Sequence, residues 1–147
     1  MERTTATVTS ALNYRWRPSR GTLGVWTGWA MSGLFILFMF GASATPKLFM
    51  PQVSRPVMNQ LGWPTKFTLL IGLIELAGTL LYAIPRTAVL GAVILMGLLG
   101  GAMATQLRIE NPLLSHILFS FYLGLFMWGG LWLRDPKLRA VFPIRRP

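Results

Sequence analysis

The sequence predicts an all-α integral membrane protein, a four-helix up-down-up-down bundle with both termini cytoplasmic. Three observations predict it. The 147 residues are 53% hydrophobic against 12% charged, with a mean hydropathy of +0.53, far too apolar for an ordinary soluble domain of this size. The charged residues divide the chain into four long apolar stretches, 21–46, 67–85, 87–107 and 111–133, and each reaches the roughly 20 residues that a bilayer crossing needs. An even number of spans puts both termini on one side, and ten of the fourteen Lys and Arg residues then share that side. Arg3, Arg15, Arg17, Arg20, Arg86, Arg134, Lys137, Arg139, Arg145 and Arg146 form this set, against Lys47, Arg55, Lys66 and Arg108 opposite. The positive-inside rule makes the richer side cytoplasmic.

In chain order, residues 1–20 are a basic cytoplasmic segment whose Tyr14 and Trp16 sit among arginines, a composition that favours anionic lipid. The transmembrane bundle occupies 21–133. Its first span ends in Ala42-Ser43-Ala44, which imitates a secretory cleavage site, but the apolar stretch before it exceeds the roughly 7–15 residues of such signals. Trp26, Trp29, Trp128 and Trp132 fall at the cytoplasmic ends of the first and fourth spans, where amphipathic rings favour the headgroup layer. The external loop 47–66 carries Pro51, Pro56 and Pro64, while Val53, Val57 and Leu61 recur at steps of four, predicting a short helix lying on the membrane. Pro85-Arg86 and Asn111-Pro112 mark tight turns that fold the later spans back on one another. The remainder, 134–147, is a basic cytoplasmic tail.

Lipid is as apolar as leucine, so small residues are expected to mark the helix seams. Gly24, Gly28 and Ser32 in the first span, Gly97, Gly101 and Ala104 in the third, and Gly129 and Gly130 in the fourth are the candidates. Internal packing is the expected use of these positions, ahead of a dimer interface.

Composition excludes several chemistries. Without cysteine there is no disulfide, thiolate metal site or thiol relay in this chain. A single histidine, His116, cannot build a bis-histidine haem or an ordinary zinc site. No covalent or metal cofactor is therefore expected. The net charge of +10 is explained by membrane topology, and no water-facing domain interleaves basic with aromatic residues, so nucleic acid is not an expected partner.

Glu75 is the one acidic residue inside a span, and an intramembrane carboxylate normally faces the bundle or a wet cavity. Thr68, Gly72, Glu75, Thr79 and Tyr82 follow steps of four and three, which places them on one seam of the second span. Lys47 with Ser43 one turn beneath it, Arg108 with Thr105 and Gln106 beside it, and His116 with Ser120 one turn deeper all belong to the outer half. The expectation is that Glu75 is neutralised by Lys47 or Arg108, or else carries a proton. Such a cluster reads either as a buried ion pair that fixes helix register or as a ligand or proton site suited to a quinone-like head group. The candidate ligand-binding or ion-pair residues are Glu75, Lys47, Arg108, His116, Ser43, Thr105 and Thr79.

The run from Phe40 through Ser43-Ala44-Thr45-Pro46-Lys47 to Leu48, the Leu61-Gly62-Trp63-Pro64 turn, Glu75-Leu76-Ala77-Gly78, Gly91-Ala92, Gly100-Gly101-Ala102 and Trp128-Gly129-Gly130-Leu131 together resemble the DoxX-like small membrane proteins of bacteria. In that family a Ser-Gly-x-x-Lys pattern commonly ends the first span, a Glu lies in the second, and a His or similar polar group closes the small-residue stretch of the third. This chain has Ala44 in place of the Gly and Thr105 in place of the His. The resemblance implies a multi-pass protein of the bacterial cytoplasmic (inner) membrane and a link to thiosulfate:quinone oxidoreductase, of which a DoxX protein is a subunit. The function it implies is a non-catalytic or co-catalytic membrane subunit of a quinone-linked oxidoreductase system, with quinone or lipid near Glu75. The alternative is a structural accessory subunit that packs against a larger membrane complex. Membrane lipids and other membrane protein subunits are the expected partners.

Overall fold

The computed structural model describes residues 20–141, with side chains from Leu23 onward. The basic segment before Arg20 and the last six residues of the tail lie outside the described residues.

All regular structure among the described residues is helical. The first long helix is built from three pieces: α1 (Arg20–Phe38), a π-helical turn (Met39–Ala44) and α2 (Thr45–Phe49). It does not stop at Pro46, where the apolar stretch ends in the sequence, but runs to Phe49. A proline inside an α-helix removes a donor and crowds the carbonyl one turn back. Here the wider turn comes first: Thr45 N–H donates to Phe40 O, five residues back, and Pro46 falls in the first turn of α2, where no donor is needed. A short helix α3 (Pro51–Gln60) follows. A single 3-10 turn (Thr65–Phe67) then leads into α4 (Thr68–Ala83), and α5 (Ala88–Arg108) comes next. A second π-helical turn (Leu113–Ile117) opens the fourth long helix and continues as α6 (Leu118–Arg134), before a final turn and a half, α7 (Pro136–Val141). Four helical segments, Leu23–Phe49, Thr65–Ala83, Ala88–Arg108 and Leu113–Arg134, are long and apolar enough to cross a membrane. They are the first to fourth spans below.

The spans form a ring. The first packs on the second and fourth, and the third packs on the same two, while the backbones of the diagonal pairs stay apart and the second and fourth reach one another through the side chains of Tyr82 and Arg134. Phe35, Tyr82, Ala92, Leu95, Met127 and Leu131 form the centre, each at most 1% exposed. Leucines and aromatics such as Leu34, Leu37, Leu73, Leu80 and Leu125 point outward, as a lipid-facing surface requires.

Close approach is concentrated at a few glycines. A methyl group on Gly28 would lie 2.5 Å from the Arg134 nitrogen and 2.8 Å from the Gly130 carbonyl oxygen, so the first and fourth spans meet there backbone to backbone. Gly91 stands in the same way against the backbone of Tyr82, and Gly78 against Leu95 and Ile94, which fixes the second span to the third. The sequence expectation for small residues is met at Gly28, Ser32, Gly129 and Gly130 and corrected in the third span and at Gly24. Gly24, Gly97 and Gly101 have no neighbour within 4 Å of where a Cβ would stand. The Gly97–Gly101 face of α5 is not a seam between helices.

Loop ends are closed by local chemistry. Gly62, at φ +69°, ends α3: Trp63 N–H reaches Met58 O and Gly62 N–H reaches Asn59 O, a pair of bonds that needs a left-handed residue. Glu110 takes the same role after α5 at φ 56°, with Asn111 N–H donating to Gln106 O. At the far end, Asp135 Oδ1 accepts from the backbone N–H groups of Lys137 and Leu138 and so caps α7, whose first residue is Pro136.

Candidate functional site

The buried face of α4 is Thr68, Gly72, Glu75, Gly78, Thr79 and Tyr82. This is the seam of steps of four and three read from the sequence, with Gly78 added. Against a lipid surround, a helix presents this polar and small stripe only where neighbouring helices can satisfy it. Gly72 lets α2 come close, since a Cβ there would stand 3.0 Å from Lys47 Cβ. One turn on, that proximity brings Lys47 to Glu75.

Lys47 Nζ lies 2.9 Å from Glu75 Oε2 and 3.2 Å from Oε1. The same ammonium donates to Ser43 Oγ and to the Ser43 carbonyl, both at 3.0 Å. Ser43 Oγ in turn donates to Glu75 Oε1 at 2.8 Å. An ammonium has three protons and no acceptor capacity, so Lys47 is fully engaged. The carboxylate accepts two bonds at Oε1 and one at Oε2, and its backbone carbonyl accepts from Thr79 Oγ1 at 2.7 Å. Lys47 with Glu75 is the only salt bridge among the described residues, with side chains 21% and 10% exposed. The π-helical turn sets this geometry: it rotates the helix between Met39 and Thr45 so that Ser43 and Lys47 both face α4. Such turns recur at functional sites because they re-aim side chains at little cost in hydrogen bonds.

Arg108 does not meet Glu75. Its Nη2 donates to the Leu61 carbonyl at 2.6 Å, beside Gly62. Thr105, also expected in the cluster, accepts from the Trp63 indole N–H at 3.2 Å and donates to Gly101 O. Both residues therefore tie the end of α3 to α5. His116 sits in the second π-helical turn, is exposed, and shares a hydrogen bond of 2.8 Å with Ser115 Oγ through Nδ1. The geometry thus assembles Glu75, Lys47 and Ser43 directly, adds Thr79 through the backbone, and leaves Arg108, Thr105 and His116 in a second tier.

All of these residues except Arg108 and Thr79 line one cavity of about 640 Å³. Its wall draws on every span: Phe38 and Ala42 from the first, Leu70 and Ile71 from the second, Gly97 and Gly101 from the third, His116 and Ser120 from the fourth. Val53, Val57 and Met58 of α3 line it as well, so the apolar residues expected to dip into the membrane surface face this space. The size is in the range of small-molecule sites, and the lining has the usual balance of many apolar groups to a few polar ones.

The opposite end of the bundle holds a polar cluster that the sequence reading did not single out. Tyr82, fully buried, donates to Met127 O at 2.8 Å and shares a hydrogen bond of 3.0 Å with Ser32 Oγ. Arg134, 8% exposed, donates through Nη2 to Tyr82 O at 2.7 Å, and its guanidinium lies 4.7 Å from the ring centroids of both Trp29 and Tyr82. Two ring faces and a carbonyl take the place of a carboxylate partner there. Tyr82 was visible on the seam, but nothing in the linear pattern announced that a residue 52 positions away would cap its carbonyl.

Four apolar spans in a closed ring, with a lysine–glutamate pair at a cavity between them, define a small multi-pass helical membrane protein. The sequence profile of the DoxX-like family matches residues 23–130. The chain belongs to the DoxX-like family. No curated protein and no solved structure gives a significant match.

Proposed function

We infer that this chain is a membrane subunit of a quinone-linked oxidoreductase system, non-catalytic or co-catalytic, whose Glu75-centred cavity receives the quinone-type head group. The single observation that carries this reading is the buried Lys47–Glu75–Ser43 cluster at the wall of an apolar cavity of about 640 Å³. A buried ion pair is by itself weak evidence for a stabilising role, because desolvation offsets much of its attraction. This one borders a space large enough for a ring and part of a chain. Membership of the DoxX-like family supports the reading, since the family takes its name from a subunit of that kind.

The same reading sets the spans alternately up and down in a bacterial cytoplasmic membrane, with both termini in the cytoplasm. Contacts in reverse order support the alternation: Gly78 meets Leu95 and Ile94, whereas Tyr82, one turn later, meets Gly91. The excess of basic residues on the terminal side supports the sidedness. In this frame the cavity opens in the outer half and the Arg134 cluster lies at the cytoplasmic end.

The fit of a quinone-type head group rests on this chain's own residues. Glu75 holds a hydrogen-bonding group at its free carboxylate face, Lys47 and Ser43 keep that carboxylate oriented, and the aromatic side chains of Phe38 and Trp63 bound the ring space. The test is binding of a lipid-soluble benzoquinone, in both redox forms, to purified protein in lipid nanodiscs, read by tryptophan quenching and calorimetry. Saturable binding that weakens at least tenfold in Glu75→Gln, with an unchanged helical spectrum, is the expected result. No saturable binding to the wild-type chain overturns the reading.

A further inference from the structure

We propose that the cavity is entered sideways from the lipid, through a window between the second and third spans, by an amphiphile that presents a hydroxyl to Glu75 and lays its hydrocarbon chain across the Gly97–Gly101 face. This rests on the functional reading above and narrows it, from a quinone-type head group to the hydroxylated form of a chain-bearing ligand.

The window follows from where the second span leans. At the Tyr82 end it is held to the third span by Gly78 and Gly91, both in tight contact. At the Glu75 end it is drawn instead toward the first span, with Gly72 against Lys47 and Leu48. The third span has no neighbour within 4 Å at the Cβ positions of Gly97, Gly100 or Gly101. Gly97 and Gly101 are exposed, Leu70 across the gap is 52% exposed, and all three line the cavity. The cavity therefore reaches from the ion pair to an exposed face where Gly97 and Gly101 contribute no side chain. Its upper edge is held by two bonds to the third span, Arg108 to Leu61 O and Trp63 to Thr105. An opening that faces acyl chains admits molecules already dissolved in the bilayer, which requires a hydrocarbon chain.

The hydroxyl follows from counting protons. All three Lys47 protons are taken by Ser43 and Glu75, and the Ser43 proton goes to Glu75. Neither side chain has a donor left for a ligand carbonyl. Glu75 Oε2 accepts only from Lys47 among the described residues, and an ionised carboxylate oxygen has room for a second bond. The open valence at the ion pair is thus an acceptor, and it selects a head group that donates there. The pair is neutral as a whole, so an uncharged head group suits it.

The experiment compares four probes on the wild-type chain in nanodiscs: decyl hydroquinone, its dimethyl ether, decyl benzoquinone, and hydroquinone bearing only a methyl group. Reductant can be kept present throughout for the hydroxylated probes, because the chain has no cysteine to disturb. Decyl hydroquinone should bind at least tenfold more tightly than its dimethyl ether and than decyl benzoquinone. Gly97→Leu and Gly101→Leu, which place side chains in open space, should slow association of decyl hydroquinone at least tenfold and slow association of the methyl compound less. Equal affinity for the hydroquinone and its ether overturns the hydroxyl, and unchanged association in both glycine variants overturns the window. Tight, Glu75-dependent binding of the benzoquinone alone overturns this inference and leaves the broader functional reading standing. Failure of every probe to bind the wild-type chain overturns both.

Discussion

Replacing Lys47 by methionine isolates what the ion pair contributes. The substitution keeps the length and most of the volume of the side chain but removes four hydrogen bonds, two to Glu75 and two to Ser43. It leaves a carboxylate that is 10% exposed with Ser43 Oγ and no cation. Breaking one partner from a buried pair costs about 3–5 kcal/mol. Because Lys47 itself is 21% exposed, water can follow the vacated ammonium, and the expected loss is about 2–4 kcal/mol. The double variant Lys47→Met with Glu75→Leu removes both charges together, and apolar replacement of a buried pair is often neutral or stabilising. It should fall within about 1 kcal/mol of the wild type, and with each single variant costing more than about 1 kcal/mol the coupling energy between the positions should be at least about 2 kcal/mol. The assay is reversible unfolding by sodium dodecyl sulfate in mixed micelles, followed by circular dichroism for the wild type, both single variants and the double variant. Two single variants that each cost under about 1 kcal/mol, with additive effects, would refute the claim that these groups are paired inside the bundle.

Other positions give independent checks. Gly28→Ala forces a methyl group to within 2.8 Å or less of the Arg134 and Gly130 backbones, and should destabilise by about 1–3 kcal/mol in the same unfolding assay. Gly101→Ala, in open space on α5, should instead be neutral or stabilising by up to about 1 kcal/mol; a cost as large as that of Gly28→Ala would contradict the open face. Tyr82→Phe removes the donor to Met127 O and the partner of Ser32 Oγ, and should cost about 1–3 kcal/mol without altering probe binding at the opposite end. Glu110→Gly relieves a left-handed residue after α5 and should raise stability by about 1 kcal/mol, read as a shift in the unfolding midpoint.

The four spans were legible because hydropathy over some twenty residues is a coarse signal that survives errors of a few positions. The inward face of α4 was legible for a different reason. A carboxylate in an apolar helix must be sheltered, and Thr68, Gly72, Thr79 and Tyr82 could share its face only at helical spacing. The choice between Lys47 and Arg108 was not legible, because both lie at the same depth and the outcome depends on rotation. A π-helical turn ahead of Pro46 rotates Lys47 toward Glu75, while Arg108 turns toward the carbonyl left exposed at Leu61. Local patterns carry no reliable signal for either turn. The Gly97–Gly101 spacing was read as a packing seam, yet spacing alone does not distinguish a glycine that admits a neighbouring helix, such as Gly28, from one that leaves a wall flat. That difference is decided by how the second span tilts, a property of the assembled ring.

Glu75 and Lys47 meet at the wall of a cavity, and the proposed ligand reaches them there from the lipid. Solid-state NMR of the protein in bilayers tests it directly, by dipolar recoupling between the Glu75 side-chain carboxyl carbon and the Lys47 side-chain nitrogen, before and after addition of decyl hydroquinone. Strong recoupling is expected in both samples, with a shift of the Glu75 carboxyl resonance on addition. No recoupling, or a carboxyl resonance that the ligand leaves unmoved at saturation, would contradict it.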